Sequence, residues 1–279
     1  MQSEIITQKN GKGIFDRKAW LTESKKLYLS AKLLRSEGER NKKLLRAASK
    51  KSPIVHEYID IASATDQTSR LMLGYAFEML LKSAILLMNL GARKKAIENE
   101  FCNYGHKLDC MAVDLGLPLT VDELKLLKVA SRDIVLNARY PIGIVDDNKY
   151  ITELNERNIQ LADENIFRDM VSLYDKIKSI VAKFDNDVAN CANFNMLRLS
   201  EFTLFMRNGG GLSSRAIVIF SDKFPEVSKR KSYLKKAIEE HAGKVAFLYT
   251  YWICPYISRH LSSLNPLLAR CRRYSRGER

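Results

Sequence analysis

Apolar positions crowd one stretch of this chain more than any other. From Leu71 to Leu90 nearly every side of a helix would be apolar, and Gly91 follows where a left-handed helix stop sits. A helix with no polar face needs other helices or lipid around it. The stretch is long enough to cross a membrane, yet Glu78 and Lys82 fall near its middle, where charge is costly in lipid. They stand four apart, acid first, the favourable order for a structural pair on one helix face. The stretch is therefore read as the central helix of a bundle, from about Ile61 to Asn89, with no membrane span.

Helical spacing continues on both sides. Asp16 can cap a helix carrying Trp20, Leu27, Tyr28, Ala31 and Leu34, which is expected to end before Gly38. A second, basic helix is expected from Glu39 to Lys51, interrupted by Pro53. Gly105-His106-Lys107-Leu108 opens a short helix that ends near Gly116. Pro118 and Thr120 turn the chain into another, with Val121, Leu124, Leu127, Ile134 and Val135 on its apolar side. Pro141 should stop that helix at Tyr140. Residues 142–162 are polar and read as a mostly irregular crossover with room for a short helix. Ile166, Met170, Leu173, Ile177, Ile180 and Phe184 then step at helical intervals. With no period-two run before residue 190, the fold class is mainly α. Residues 1–187 are expected to form an up-and-down bundle with a basic N-terminal arm.

The pattern changes after Asp187. Asn208-Gly209-Gly210-Gly211-Leu212 is a breaker, and Ala216 to Phe220 is a short run rich in branched residues. Pro225 can start a helix through His241, and Val245 to Ile253 is a further apolar run. Strand, helix, strand would make residues 188–279 a small basic C-terminal domain of α/β type. A buried helix can carry 245–253 equally well. Ala269 to Arg279 reads as a basic tail.

Charge sharpens this division. The net charge of +14 is spread as +7 over residues 1–60, −3 over 61–204 and +10 over 205–279. Basic ends around a slightly acidic middle suit phosphate or an acidic partner, although solvated surface lysines give the same count. The first residues have no apolar core of the secretory kind. The five cysteines are odd in number and lack CxxC spacing, which suggests free thiols and a reducing, cytoplasmic setting.

Few residues carry recognisable chemistry. The triple glycine precedes its candidate strand, so it matches no phosphate-binding loop and reads as a linker. Cys102, His106 and Cys110 would align only on one continuous helix, which Gly105 opposes, and no fourth ligand is evident; no metal or other cofactor is expected. The most informative polar stretch runs from Arg132 through Asp133 and Asn137 to Arg139 and Tyr140. Arg132 and Arg139 are seven apart, so both guanidinium groups lie near one helix face and can hold a phosphodiester. The alternative is that Arg139 offsets the helix dipole while Arg132 pairs with a surface acid.

The order of these marks resembles the HEPN family. An apolar helix with Gly74-Tyr75-Ala76-Phe77-Glu78 and Lys82 comes first, then Gly105 to Leu108, then a helix ending Ala138-Arg139-Tyr140-Pro141, then an amphipathic helix. The resemblance covers roughly residues 16–186. It implies a helical bundle that often forms a homodimer and belongs to prokaryotic toxin–antitoxin or antiviral defence systems. Many such proteins are metal-independent ribonucleases; others bind nucleotides or partner proteins such as antitoxins. Catalytic members carry Arg, a polar residue, and a His after roughly four to six intervening positions, the His moving a proton and the Arg stabilising the phosphorane. Arg132 and Asp133 match the first two positions. The histidine slots hold Asn137, Ala138 and Arg139, none of which exchanges a proton near neutral pH. The expectation is an RNA-, nucleotide- or partner-binding protein lacking the usual histidine, with Arg132, Asp133, Asn137, Arg139 and His106 at its phosphate site. The alternatives are a ribonuclease that uses a displaced histidine, and a pure interaction module.

Overall fold

The computed structural model describes residue 5, residues 11–49, 53–137 and 150–221, and residues 229, 232, 233, 236 and 240. Its helices are α1 (Arg17–Ala47), α2 (Ile54–Met88), α3 (Lys94–Tyr104), α4 (Leu108–Asp114), α5 (Val121–Arg132), α6 (Tyr150–Ala162) and α7 (Glu164–Lys183). A single π-helical turn, Asp133–Asn137, extends α5. The strands β1 (Ala192–Arg198), β2 (Phe202–Gly209) and β3 (Arg215–Phe220) pair in chain order as a small antiparallel sheet. By contacts the chain forms two compact units, residues 1–197 with 204–218, and residues 198–203 with 219–279. Helices α1 to α7 all belong to the first. The fold is thus mainly α, a helical bundle followed by a small sheet.

α1 and α2 form a long antiparallel hairpin. Ser24 Oγ donates to the Ala76 carbonyl at 2.7 Å, and Arg35 meets Asp66 at 3.0 Å, so contacts rise along one helix as they fall along the other. The expected break at Gly38 does not occur. Gly38 lies inside α1, and a Cβ there would come within 2.5 Å of Thr65 Oγ1. The glycine lets two helices approach; it does not end one. α2 is also longer than expected, starting at Ile54 just after Pro53.

α2 is the spine of the core. Leu73, Phe77, Leu80, Leu81, Ala84, Ile85 and Met88 are all buried. The most apolar window of this helix is 72% buried inside the protein, so protein side chains cover it. Each large side chain so buried contributes roughly 1.5–3 kcal/mol. Tyr174 of α7 stacks on Tyr28 at 4.2 Å and meets Phe77 edge-on at 5.6 Å, which joins α7 to both arms of the hairpin. α7 is turned slightly from the expected stripe. Phe167, Tyr174 and Val181 join Met170, Leu173 and Ile177 in the core, while Ile166 and Ile180 are only partly buried.

The polar segment before α7 holds a 13-residue helix, α6, where mostly irregular structure was expected. Two buried arginines explain why it persists. Arg35 donates to the carbonyls of Leu161 (2.9 Å) and Ala162 (2.7 Å), and Arg70 to that of Gln160 (3.1 Å). Cations at the last carbonyls satisfy the free acceptors and offset the helix dipole.

β1 and β2 carry a period-two signal that is visible in hindsight. Phe202, Leu204 and Met206 alternate along β2 and are buried. β3 closes the meander; most of the helix expected at 225–241, and residues 245–253, lie outside the described residues. The glycines 209–211 make the β2–β3 turn with φ of 73°, 67° and 78°. A Cβ on Gly209 would also come within 2.5 Å of the Cys191 carbonyl. Arg215, the first residue of β3, reaches Asn89 (3.2 Å), Glu100 (2.8 Å) and Asp114 (3.2 Å) on three successive parts of the bundle. Burial pushes the Glu100 carboxyl above its ordinary range, an effect that Arg215 opposes.

Candidate nucleic-acid interface

The candidate edge is set by how α5 begins and ends. Thr120 and Glu123 form a capping box: Glu123 N donates to Thr120 Oγ1 (3.2 Å), and Thr120 N to Glu123 Oε2 (2.7 Å). Lys176 of α7 grips the same carboxylate at 2.6 Å. Together they hold the Glu123 pKa below its ordinary range.

At its far end α5 passes into the π turn, whose wider repeat redirects the side chains. Asp133 and Ile134 face the core, whereas Arg132, Val135 and Leu136 are exposed. Asp133 Oδ2 accepts from both Arg70 Nε (2.8 Å) and Nη2 (2.5 Å), a charge-assisted and fully buried pair. Gly74 makes room for this docking, since a Cβ there would come within 2.7 Å of Ile134 Cγ1. Asp133 therefore holds the turn in place and faces away from the surface.

Arg132 is exposed, and no carboxylate pairs with it among the described residues. Its neighbour Ser131 is anchored: Ser131 Oγ donates to the Leu127 carbonyl (2.9 Å) and accepts from the Leu108 amide (3.0 Å). That second bond ties the start of α4, and the loop holding His106, to the end of α5. Asn137 closes the π turn; Arg139, Tyr140, His241 and His260 lie outside the described residues. His56 is exposed in the first turn of α2.

His106 is the one described histidine with a carboxylate partner. Its Nδ1 lies 2.8 Å from Glu78 Oε2, and Lys82 Nζ donates to Glu78 Oε1 at 2.5 Å. A carboxylate oxygen accepts, so in this bond His106 Nδ1 is the donor. The pair expected from sequence is thus a triad of acid, base and imidazole. Glu78 is buried, Lys82 is 12% exposed beneath the rings of Trp20 and Phe101, and His106 is 32% exposed beside Tyr75. An imidazole fixed through Nδ1 has Nε2 left for a ligand or a proton. Gly105, with φ of 53°, separates α3 from α4, so Cys102 and Cys110 stand on different helices.

Sequence reasoning did not single out Arg70, Arg35 or Ser131. The available signal was a pair of charges, Asp66 and Arg70, entering an otherwise apolar face of α2.

No family model matches the chain, and no solved structure matches it. Over 38 residues, 14% of its length, the chain is 74% identical to Protein YoeA of Escherichia coli (strain K12), and it covers 29% of that protein.

Proposed function

We propose that this is a HEPN-like RNA-binding protein of a prokaryotic defence or toxin–antitoxin system, acting in the cytoplasm, with Arg132 and His106 on its phosphate-contacting edge. The observation that carries the reading is the Ser131–Leu108 bond, which sets the His106 loop against the end of α5 where Arg132 stands exposed and without a carboxylate partner among the described residues. A guanidinium already tied to an acid would have to break that pair to take a phosphate; this one does not. The setting and the choice of RNA come from the family resemblance, and the basic flanks of the sequence agree with them.

Arg132→Ala should weaken binding of a short single-stranded RNA about tenfold or more, the loss of charge-assisted hydrogen bonds of roughly 1.5–3 kcal/mol. Fluorescence anisotropy across a salt series should show the slope of log K against log salt fall by about 0.7. Arg132→Lys should restore the slope but not the whole affinity. Affinity and slope both unchanged in Arg132→Ala would remove Arg132 from the interface.

The reading includes a homodimer. Ile151 and Ile159, eight apart on α6, are 69% and 70% exposed, and a second copy could cover them. Sedimentation at micromolar concentration should give twice the monomer mass; a monomer alone would refute it.

A second reading, a metal-independent ribonuclease, is favoured by the Glu78–His106 bond. A carboxylate-oriented imidazole can take the proton of an attacking 2′-hydroxyl, and a nearby guanidinium can stabilise the phosphorane. Here the histidine would come from the α3–α4 connection instead of from α5.

A further inference from the structure

A groove between α1 and α7, lined by none of the residues of that edge, holds a cavity of about 250 Å³. Arg35 reaches it with its guanidinium over the Phe167 ring, 4.9 Å from the centroid. Arg35 Nε donates to Glu164, Nη1 to Asp66 and the Leu161 carbonyl, and Nη2 to the Ala162 carbonyl. Four of the five N–H groups of a guanidinium are thereby taken, and one on Nη2 has no acceptor among the described residues.

Lys32 and Arg168 line the same cavity, exposed and unpaired with any carboxylate among the described residues. The Lys32 ammonium sits 5.4 Å from the Tyr28 ring centroid, a contact that spends none of its three donors on an acceptor. The two acids at the cavity are already engaged, Glu39 by Lys42 and Glu164 by Arg35, each at 2.8 Å. The groove thus carries two cations that no carboxylate pairs with among the described residues, and a spare buried donor, with the apolar side chain of Val171 beside them; with Arg35 and Lys42 set against Glu39, Glu164 and Asp66 the cluster stays net positive.

We propose that this groove binds a phosphate monoester. The phosphate sits between Lys32 and Arg168 and takes the remaining Arg35 N–H; the organic group lies against Val171. A monoester presents three terminal oxygens, enough to meet Lys32, Arg168 and the Arg35 N–H at once, where a carboxylate or a phosphodiester presents two. The volume suits a phosphate with one small organic group. The same chemistry is offered by a free phosphorylated metabolite and by the phosphorylated end of an RNA chain.

Titration calorimetry on the full chain tests this with phenyl phosphate as the probe. Binding is expected with a dissociation constant on the order of 0.1 mM, weakened about tenfold in Lys32→Ala and again in Arg168→Ala. Both residues are exposed, so neither substitution threatens the fold. Arg132→Ala should bind phenyl phosphate as the unaltered protein does, which separates this site from the proposed RNA edge. A 5′-phosphorylated oligoribonucleotide that binds about tenfold tighter than its unphosphorylated form, with the difference lost in Arg168→Ala, assigns an RNA end; no such difference assigns a free metabolite. No detectable heat at about 10 mM phenyl phosphate, or an affinity untouched by both substitutions, overturns the proposal.

Discussion

Asp133→Ala should lower the stability of the bundle by about 3–5 kcal/mol, the usual loss when one partner of a buried ion pair is removed. Arg70 is among the most buried side chains of the protein, and Asp133 supplies the only carboxylate bonded to it among the described residues. Without Asp133 the guanidinium keeps one hydrogen bond among the described residues, to the Gln160 carbonyl, and has no counter-charge there. The chain must then either hold an unpaired cation in its core or let the π turn move away. The double substitution Arg70→Met with Asp133→Leu should recover much of the loss, because apolar side chains of similar size need no partner. Recovery should be incomplete, since Arg70 also satisfies the end of α6. Urea unfolding followed by helical circular dichroism measures both, with the slope checked for a change in cooperativity. A loss below about 1 kcal/mol for Asp133→Ala would show that the pair is open to water and does not fix the turn.

This pair also shows where sequence reading stops. Arg132 and Asp133 are adjacent and the sequence offers both to one phosphate site, yet the π turn sends them to opposite sides, one to solvent and one to Arg70, 63 positions earlier in the chain. Nothing local to residues 132–137 announces an inserted residue in the helical repeat. The same holds for α6. Its own residues are mostly exposed, and what ends it are guanidinium groups from α1 and α2. By contrast, the central helix, the Glu78–Lys82 pair, the stop at Gly91 and the short helix after His106 follow from hydrophobic spacing and glycine position alone, and the structure has each of them. Gly38 misled for a definite reason. A glycine within a helix can mean an end or a close crossing, and only the position of Thr65 decides between them. Whether Arg132 spends itself on a surface acid is legible only in three dimensions, where no carboxylate pairs with it among the described residues.

His106 offers the sharper functional outcome, because its carboxylate partner has two jobs that substitution can separate. Glu78 is the counter-charge of the largely buried Lys82, and it also orients the His106 ring. Glu78→Gln keeps the shape and one acceptor but removes the charge. Lys82 would then hold its ammonium against Trp20 and Phe101 with cation–π attraction alone, so stability should fall by about 3 kcal/mol. His106→Gln leaves the Glu78–Lys82 pair intact, and the His106 ring is partly in solvent; the free energy of unfolding should change by less than about 1 kcal/mol. If the ribonuclease reading holds, metal-independent cleavage of RNA should fall by about two to four orders of magnitude in His106→Gln, the range for losing a proton-transfer group, while RNA affinity changes little. Arg132→Ala should then lose both cleavage and affinity. If the binding reading holds, the unaltered protein shows no cleavage above background in the presence of a chelator, and His106→Gln weakens RNA affinity alone. A Glu78→Gln protein as stable as the original would mean that Lys82 does not depend on that carboxylate, and the triad would lose its structural half.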